Sequence, residues 1–382
     1  MRRASRANPA AALDSAAAAS IQERKFAMRL TGAVGDHAPT RRQAVAQISA
    51  FCALGFSPSR GAAAVPKITV ALVRSAGSGP LFIAAAKGYF ADEGLDAELR
   101  FVASDDDARA AVAAGEAAFG VSQLTASFFS YAVDQRLTLI ASQFSDQAGF
   151  PANALVIVKP AYDAGFKSVP DLRRKQIGLE DVGSGRRYAL AHIAARYGLD
   201  PDELTIAALE RPQREFEALR KGEIDAAVVS FHTALETASS ASDLVLVRMG
   251  DLAQSQMGAV FTAQQTIDSN RPIVEKFIRA YQRGVASYDL TFLQRSDGDD
   301  EAKPDDYDST LQLVSEQANV APRLIDQAPL YCDRLGRLDE ADVSAQLAFW
   351  QDHGMVARSA SAANLIDGSF TAERLPGNPD PN

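Results

Sequence analysis

Short apolar segments alternate with helical segments along most of this chain, and this alternation is the strongest constraint on its fold. Residues 67–73 and 95–102 have strand-like patterns, and residues 81–90 between them place apolar side chains at helical spacing. The same alternation resumes at residue 154 and continues to about residue 261, after which the pattern is helical. Alternating strands and helices form mostly parallel sheets that are covered by helices. The sequence therefore predicts an α/β fold.

One pattern occurs twice, at residues 112–122 and 219–230. Each copy has a helix end, a Gly-Glu turn, a short apolar strand and a final serine, Ser122 or Ser230. The repeat predicts two lobes built on the same plan. Ligands of open α/β sheets bind at the carboxyl ends of strands, so two such edges that face each other would form a binding cleft.

Residues 1–64 have the composition of an export leader. Arg41-Arg42 precedes the apolar run 44–56, and small residues follow at 61–64, as in a secretory signal. The two arginines are also compatible with the twin-arginine route, and Met28 is an alternative start. The apolar run is shorter than the roughly 20 residues that span a bilayer. We therefore predict export to the periplasm, by either route.

Charge and cysteine content exclude several classes of function. The net charge is −9, and residues 1–64 carry +6 of formal charge, which leaves −15 for the remainder. An acidic body argues against nucleic acid as a partner. Cys52 lies in the leader, so Cys332 has no partner for an internal disulfide. With three histidines outside the leader and none at helical ligand spacing, we predict no metal and no cofactor.

Several segments carry a resemblance to a known family. The longest is 79–99, which contains Lys-Gly-Tyr-Phe and Glu-Gly-Leu, and it is followed in family order by 115–123, 168–172, 183–185 and 222–228. In these segments the chain resembles the type II periplasmic substrate-binding proteins of ABC transporters. The similarity is to the branch that binds nitrate, sulfonates, taurine and thiamine precursors. It covers roughly residues 67–288.

The resemblance implies two α/β lobes, each with a mostly parallel sheet flanked by helices, that are hinged by two crossover strands near 153–159 and 256–261. Lobe one would comprise residues 65–154 and 257–360, and lobe two residues 155–256. After the leader at 1–64, these ranges leave a disordered tail at 361–382. Lobes of this kind close on their ligand by hinge bending.

The candidate ligand contacts lie in four turns that follow predicted strands. Helix N-termini in such turns offer free N–H groups to an anion, and Arg186 could pair with a carboxylate or sulfonate. The candidates are Ser75, Ala76 and Gly77; Ser122, Gln123 and Leu124; Gly183, Ser184, Gly185 and Arg186; and Ser230, Phe231 and His232. Each turn could equally serve as a structural cap or loop.

These features together predict a monomeric, non-catalytic receptor that captures a small organic anion and delivers it to a membrane permease. Two alternatives share the fold, namely an enzyme of the thiamine-pyrimidine synthase type and the effector-sensing domain of a transcription regulator. The chain lacks the Cys-rich motif of the former and the basic N-terminal helix-turn-helix of the latter. The leader is the main feature that separates the three functions.

Overall fold

The computed structural model describes residues 65–239, 243–294 and 303–372, so the predicted leader at 1–64 lies outside the described residues. Within these ranges ten strands form two five-stranded sheets. The strands are β1 (Lys67–Leu72), β2 (Asp96–Phe101), β3 (Phe119–Gln123), β4 (Leu137–Asp146), β5 (Asn153–Val158), β6 (Gln176–Leu179), β7 (Thr205–Ala208), β8 (Ala226–Ser230), β9 (Leu244–Arg248) and β10 (Ser255–Ala263).

Twelve α-helices accompany the strands in the same ranges, and none of them is long and apolar enough to cross a membrane. They are α1 (Gly79–Ala86), α2 (Tyr89–Asp92), α3 (Asp105–Ala113), α4 (Ala126–Gln135), α5 (Lys159–Asp163), α6 (Gly185–Arg196), α7 (Pro212–Lys221), α8 (Phe231–Ala238), α9 (Gln264–Tyr288), α10 (Tyr307–Ala318), α11 (Pro322–Gln327) and α12 (Glu340–Asp352).

The first sheet has the order β2-β1-β3-β10-β4. Strand β1 pairs with β2 and β3 in parallel, whereas β10 is antiparallel to both β3 and β4. Four strands therefore run in one direction and β10 runs in the other. We call this sheet, with α1–α4 and α9–α12, lobe one.

The second sheet has the order β7-β6-β8-β5-β9 and the same pattern of directions, with β5 as the reversed strand. With α5–α8 it forms lobe two. The repeated sequences end in β3 and β8, which occupy the same central position in their sheets. Gly115 and Gly222, in the two Gly-Glu turns, both have positive φ, at 73° and 70°. The prediction of two similarly built α/β lobes is thus confirmed.

The chain passes between the sheets twice, through residues 147–152 and 249–254. The two segments are hydrogen-bonded to each other, since the Gly149 N–H donates to Asp251 at 2.9 Å and Arg248 donates to the Gly149 carbonyl at 2.7 Å. A Cβ on Gly250 would lie 2.4 Å from the Gln147 carbonyl oxygen, so only glycine allows this approach. These paired segments form the boundary between the lobes.

The C-terminal part of the chain completes lobe one. Helix α9 contributes Phe277, whose ring stacks on that of Phe119 from β3 at a centroid distance of 3.8 Å. The outer edge of β4 is also covered, because the Leu139 and Ser142 N–H groups donate to carbonyls of Leu365 and Gly336. An edge strand that is covered in this way offers no free hydrogen-bonding row to another chain.

Three expectations differ from the structure. The crossover strands were expected near 153–159 and 256–261, but these residues belong to β5 of lobe two and β10 of lobe one, and the chain crosses at 147–152 and 249–254. The disordered tail was expected from residue 361, but Leu365 and Phe370 are buried against lobe one, and 373–382 lie outside the described residues. The segment 361–372 has no periodicity because it follows an irregular path over β4. The helix expected over 81–90 is divided into α1 and α2 by Gly88, which has a left-handed φ of 75°.

Candidate functional site

A cavity of about 320 Å³ lies between the lobes, where β1, β3 and β8 end. Both lobes contribute to its wall, as does the segment before and within α11. The lining residues are Arg74, Ser75, Ala76, Gln123, Phe144, Ala152, Asn153, Arg186, Ser230, His232, Thr233, Glu236, Met257, Asn319, Val320, Ala321, Leu324 and Leu330. We call this space the interlobe cavity.

A second cavity of about 250 Å³ adjoins it inside lobe one. The two share Arg74, Ser75, Gln123 and Phe144 in their walls. The smaller one also includes Asp105, whose carboxylate accepts a hydrogen bond from the Gln123 N–H at 3.2 Å. The ends of β1 and β3 therefore face two connected polar surfaces rather than one.

A larger depression of about 600 Å³ lies elsewhere on lobe one, between the end of α4 and residues 359–367. It includes Thr138 near the start of β4, whereas the interlobe cavity includes Phe144 near the end of that strand. None of the predicted site residues lines it. Position at the carboxyl ends of strands, rather than size, therefore identifies the interlobe cavity as the candidate site.

The turn after β1 contributes two of its three predicted residues. Ser75 and Ala76 line the interlobe cavity, and the Ser75 hydroxyl accepts a hydrogen bond from the Gly77 N–H at 3.2 Å. Gly77 itself is buried beside the Phe144 ring and does not line the cavity. Ser75 thus caps a helical turn and faces the cavity at once.

The three predicted residues at the end of β3 lie in different surroundings. Gln123 lines both cavities, whereas Ser122 is buried at the smaller one, where its hydroxyl accepts from Arg109 at 3.3 Å. Leu124 is fully buried and its N–H donates to the Met257 carbonyl, so it belongs to the core. The structure therefore does not place Leu124 at the cavity.

The glycine turn before α6 joins the lobes instead of lining the cavity. The Gly183 carbonyl accepts a hydrogen bond from the Ala126 N–H of α4 at 2.9 Å. A Cβ on Gly185 would lie 2.8 Å from the Leu124 carbonyl oxygen, which explains why glycine stands there. Ser184 precedes α6 as its N-cap, and its buried hydroxyl has no hydrogen-bond partner among the described residues. Gly183 and Gly185 are therefore contacts between the lobes, and none of the three residues lines the interlobe cavity.

Arg186, the second residue of α6, extends from this junction into the wall of the interlobe cavity. Its side chain is 16% exposed. The Nε group donates to Asn153 Oδ1 at 3.0 Å and Nη1 donates to Glu180 Oε2 at 2.8 Å. Within the described part of the chain these bonds leave Nη2 for a further acceptor.

The turn after β8 opens α8 at the cavity. Ser230 caps the helix by accepting from the Thr233 N–H at 3.2 Å, and Ser230, His232 and Thr233 all line the cavity. Phe231 is buried and does not line it. His232 donates from Nε2 to the Ala328 carbonyl at 2.8 Å. Burial lowers the His232 pKa, so this imidazole is neutral at pH 7 and bonds one lobe to the other.

Two buried carboxyl groups lie behind Arg186. Asp146, 1% exposed, accepts hydrogen bonds from the Ala152 and Asn153 N–H groups, and burial raises its pKa to about 6. Glu215 of α7 is also 1% exposed, and neither of its oxygens has a hydrogen-bond partner among the described residues. Burial raises the Glu215 pKa to about 7, although Arg186 lowers it. Arg186 therefore lies beside three acidic side chains, the hydrogen-bonded Glu180 and the buried Asp146 and Glu215.

Several lining residues were not predicted from the sequence. Asn153 is the polar first residue of an apolar strand, and that contrast was a usable signal. Glu236 lies one turn beyond the predicted Ser230–His232 group on α8. Residues 319–330 have no signal of their own, since helix packing brings them to the cavity. Among the described residues no cluster of three or more His, Cys, Asp or Glu could hold a metal ion.

Solved structures share this architecture at low sequence identity. The aliphatic sulphonate-binding protein SsuA of Escherichia coli aligns with 82% of this chain and 98% of its own, at 13% identity and a TM-score of 0.60. The nitrate-binding protein NrtA of Synechocystis PCC 6803 aligns over 80% and 87%, at 12% identity and a TM-score of 0.54. A Candida albicans gene product with the generic periplasmic binding protein fold aligns over 79% and 96%, at 14% identity and a TM-score of 0.54.

These likenesses show that the chain has the periplasmic binding protein fold, which confirms the predicted architecture. No curated protein matches the sequence. A family model does match, over residues 75–288, which is more than half of the chain. The matched range includes the turn after β1, the whole of lobe two and the whole of α9. The chain therefore belongs to the family described as NMT1/THI5 like.

Proposed function

We propose that this protein is an extracytoplasmic solute-binding receptor of an ABC importer, which captures a small organic anion between its lobes. The observation that carries the proposal is Arg186, which lines a cavity built by both lobes and keeps Nη2 for an acceptor. Two of the structural neighbours named above are described as sulphonate-binding and nitrate-binding proteins, which supports an anionic ligand.

Other groups at the cavity support an anionic ligand. Helix α8 begins there, and the N-terminus of a helix favours negative charge. Arg74 adds a second guanidinium, which donates to the Gln317 carbonyl at 2.7 Å and lies 3.8 Å from the Phe101 ring centroid. Phe144, Met257 and Leu324 supply apolar wall for the organic part of the ligand.

In this proposal the protein is a monomer in the periplasm that performs no chemistry and passes its ligand to a membrane permease. Residues 1–64 serve as the export leader, and the lobes meet at the connecting segments 147–152 and 249–254. Contacts such as His232 with Ala328 hold the lobes together, and hinge bending at 147–152 and 249–254 admits the solute.

A thermal-shift comparison with the full chain tests the proposal. The probes are 1-butanesulfonate and its neutral counterpart, butyl methyl sulfone. A ligand at 100 times its Kd stabilises the folded state by about 2.7 kcal/mol. We expect the sulfonate, but not the sulfone, to raise Tm by several degrees, and Arg186→Gln to abolish the shift.

Arg196→Gln is the matched control, because it removes an exposed arginine from the same helix without touching the cavity. This variant keeps the full shift if the proposal is correct. A Tm that rises with the sulfone alone, or a sulfonate shift that survives in Arg186→Gln, contradicts it.

A further inference from the structure

A chain of hydrogen bonds runs from the last residue of β4 to the guanidinium at the cavity. Asp146 Oδ2 accepts from Asn153 Nδ2 at 2.6 Å, and Asn153 Oδ1 accepts from Arg186 Nε at 3.0 Å. Asp146 belongs to lobe one, whereas Asn153 and Arg186 belong to lobe two. The chain therefore connects the lobe boundary directly to the proposed ligand contact.

The chemistry of the two end groups fixes the orientation of the amide between them. A carboxylate only accepts hydrogen bonds and a guanidinium only donates them, so Asn153 must turn its NH₂ to Asp146 and its oxygen to Arg186. The other Asp146 oxygen accepts from the Ala152 and Asn153 N–H groups at 2.7 and 3.0 Å. The backbone N–H groups at the end of the connecting segment 147–152 thus hold the Asp146 carboxylate, which sets the orientation of the Asn153 amide.

From this arrangement we propose that Asp146 and Asn153 are positioning residues that orient the Arg186 guanidinium for the ligand. Asn153 itself lines the interlobe cavity, but Asp146 does not. Asp146 therefore acts through Asn153, by holding its amide in the one orientation that accepts from Nε. This inference rests on the proposed function of Arg186. It adds that the lobe boundary, through Asp146, controls the orientation of the Arg186 guanidinium.

Other charged groups surround the same guanidinium. Glu180 pairs with Nη1, Glu215 lies buried on α7, and His232 and Glu236 face the cavity from α8. None of these groups contacts Asn153 in the described hydrogen bonds. A substitution confined to Asp146 and Asn153 therefore tests the direction of the Asp146–Asn153–Arg186 hydrogen bonds without removing the charge of any of those groups.

The decisive variants exchange the acid and the amide. In Asp146→Asn, Oδ1 can still accept from the two backbone N–H groups, but the new NH₂ faces the NH₂ of Asn153. The Asn153 amide then flips to accept from the new NH₂, which turns its own NH₂ toward Arg186 and leaves Nε without its acceptor. In the double variant D146N/N153D, the new amide donates to the new carboxylate, which accepts from Nε. The polarity is restored, although each position has changed.

A first measurement needs no ligand. The Arg186 Nε–H signal in a nitrogen-15 NMR spectrum of the full chain is assigned by its loss in Arg186→Gln. We expect fast solvent exchange of this proton in D146N and wild-type protection in D146N/N153D. Asp251→Asn, which removes a carboxylate from the other connecting segment, is the control and leaves the signal unchanged. An unchanged Nε–H signal in D146N overturns the proposal.

A second measurement uses calorimetric titration with 1-butanesulfonate. We expect D146N to weaken binding at least tenfold, and the double variant to return within about threefold of wild type. If R186Q weakens binding but D146N does not, the positioning role is wrong and the proposed function stands. If R186Q binds as wild type does, the proposed function fails, and the Nε–H signal still decides whether Asp146 orients Arg186.

The pH dependence of binding separates positioning from a loss of fold. Protonation of Asp146, whose pKa is raised to about 6 by burial, gives Oδ2 a proton and reverses its hydrogen-bonding role as D146N does. Wild-type affinity for the sulfonate should therefore fall as pH decreases from 7 to 5, measured in a Glu215→Gln background. The D146N affinity should not change over this range. A wild-type profile as flat as that of D146N overturns the proposal.

Discussion

The two sheets have the same strand order, but they differ in how far they are enclosed. Strand β4, at the outer edge of the first sheet, has ten residues that are all buried. Strand β9 holds the equivalent place in the second sheet, with five residues and none of them buried. The repeat therefore predicts the topology of both lobes, whereas the burial of β4 depends on C-terminal residues that hydrogen-bond along its outer edge, namely Tyr331, Gly336 and Leu365.

The difference in enclosure accompanies a difference in chemistry. Lobe one contains the stacked aromatic core around Phe277, and its buried charged side chains Arg109 and Asp146 form hydrogen bonds with Ser122 and Asn153. Lobe two carries Arg186 with Glu180 and the unpartnered carboxyl group of Glu215. Both lobes therefore bury charge, but the buried carboxyl group of Glu215 in lobe two has no hydrogen-bond partner among the described residues.

The largest expected effect is the difference in stability lost when a leucine is shortened in the equivalent edge strands β4 and β9. Leu139→Ala in β4 creates a cavity at a fully buried site and should lower the free energy of unfolding by about 2–5 kcal/mol. Leu246→Ala in β9 removes a half-buried side chain and should cost about 1 kcal/mol. Urea unfolding, followed by circular dichroism, measures both.

The single tryptophan makes the comparison sharper. Trp350 is fully buried in the same core as Leu139, so its fluorescence reports the unfolding of lobe one. Equal losses in the two variants, or a tryptophan transition that moves as much for Leu246→Ala, would show that the lobes share one level of stability.

A smaller effect concerns the buried acid of lobe two. Burial raises the Glu215 pKa to about 7, so the ionised form destabilises the fold and proton uptake stabilises it as pH falls. At pH 8, Glu215→Gln should raise the free energy of unfolding by about 1–3 kcal/mol. This advantage should decrease from pH 7 to pH 4.5, the range between the folded and ordinary pKa values.

Glu217→Gln on the same helix is the matched control for that titration. Its side chain is exposed, so its substitution should leave stability within about 0.5 kcal/mol at every pH. An advantage of Glu215→Gln that is independent of pH would show that the Glu215 pKa is the same in the folded and unfolded states.

Local sequence was sufficient for much of the fold. The alternation of strands and helices and the Gly-Glu repeat predict two similar lobes, because both signals depend on neighbouring residues. Local sequence did not reveal the cover that residues 361–372 place over β4, since that segment is irregular and its partners lie more than 200 residues earlier. It also could not show that Gly88 ends α1.

The candidate site was predictable only in part. Ser75, Gln123, Arg186, Ser230 and His232 follow or lie near strand ends, and they meet at the interlobe cavity. Gly183–Gly185 have the composition of a ligand loop, but the same small residues permit the close approach of two lobes. That distinction depends on what lies opposite, which the sequence of one turn does not contain. Whether these residues bind ligand stays a prediction.

The smallest expected effect tests whether the two unlike lobes are joined by specific contacts away from the cavity. The Tyr188 hydroxyl of α6 donates to Asp342 Oδ1 of α12 at 2.6 Å, and the Tyr188 ring packs edge-on against Phe349. Tyr188→Phe removes one hydrogen bond between the lobes and keeps the ring. A net hydrogen bond stabilises by about 1 kcal/mol, so this contact favours the closed arrangement by a few-fold in population.

We expect Tyr188→Phe to weaken binding of 1-butanesulfonate about threefold in calorimetric titration, because ligand must then restore a closed arrangement that is less populated. Tyr197→Phe is the control, since Tyr197 caps the same helix, is 43% exposed and has no hydrogen bond across the lobes in the described residues. An affinity unchanged by Tyr188→Phe would mean that this contact persists when the lobes open. The hinge would then lie beside α6 and α12, and Arg186 would move with lobe two about that fixed point.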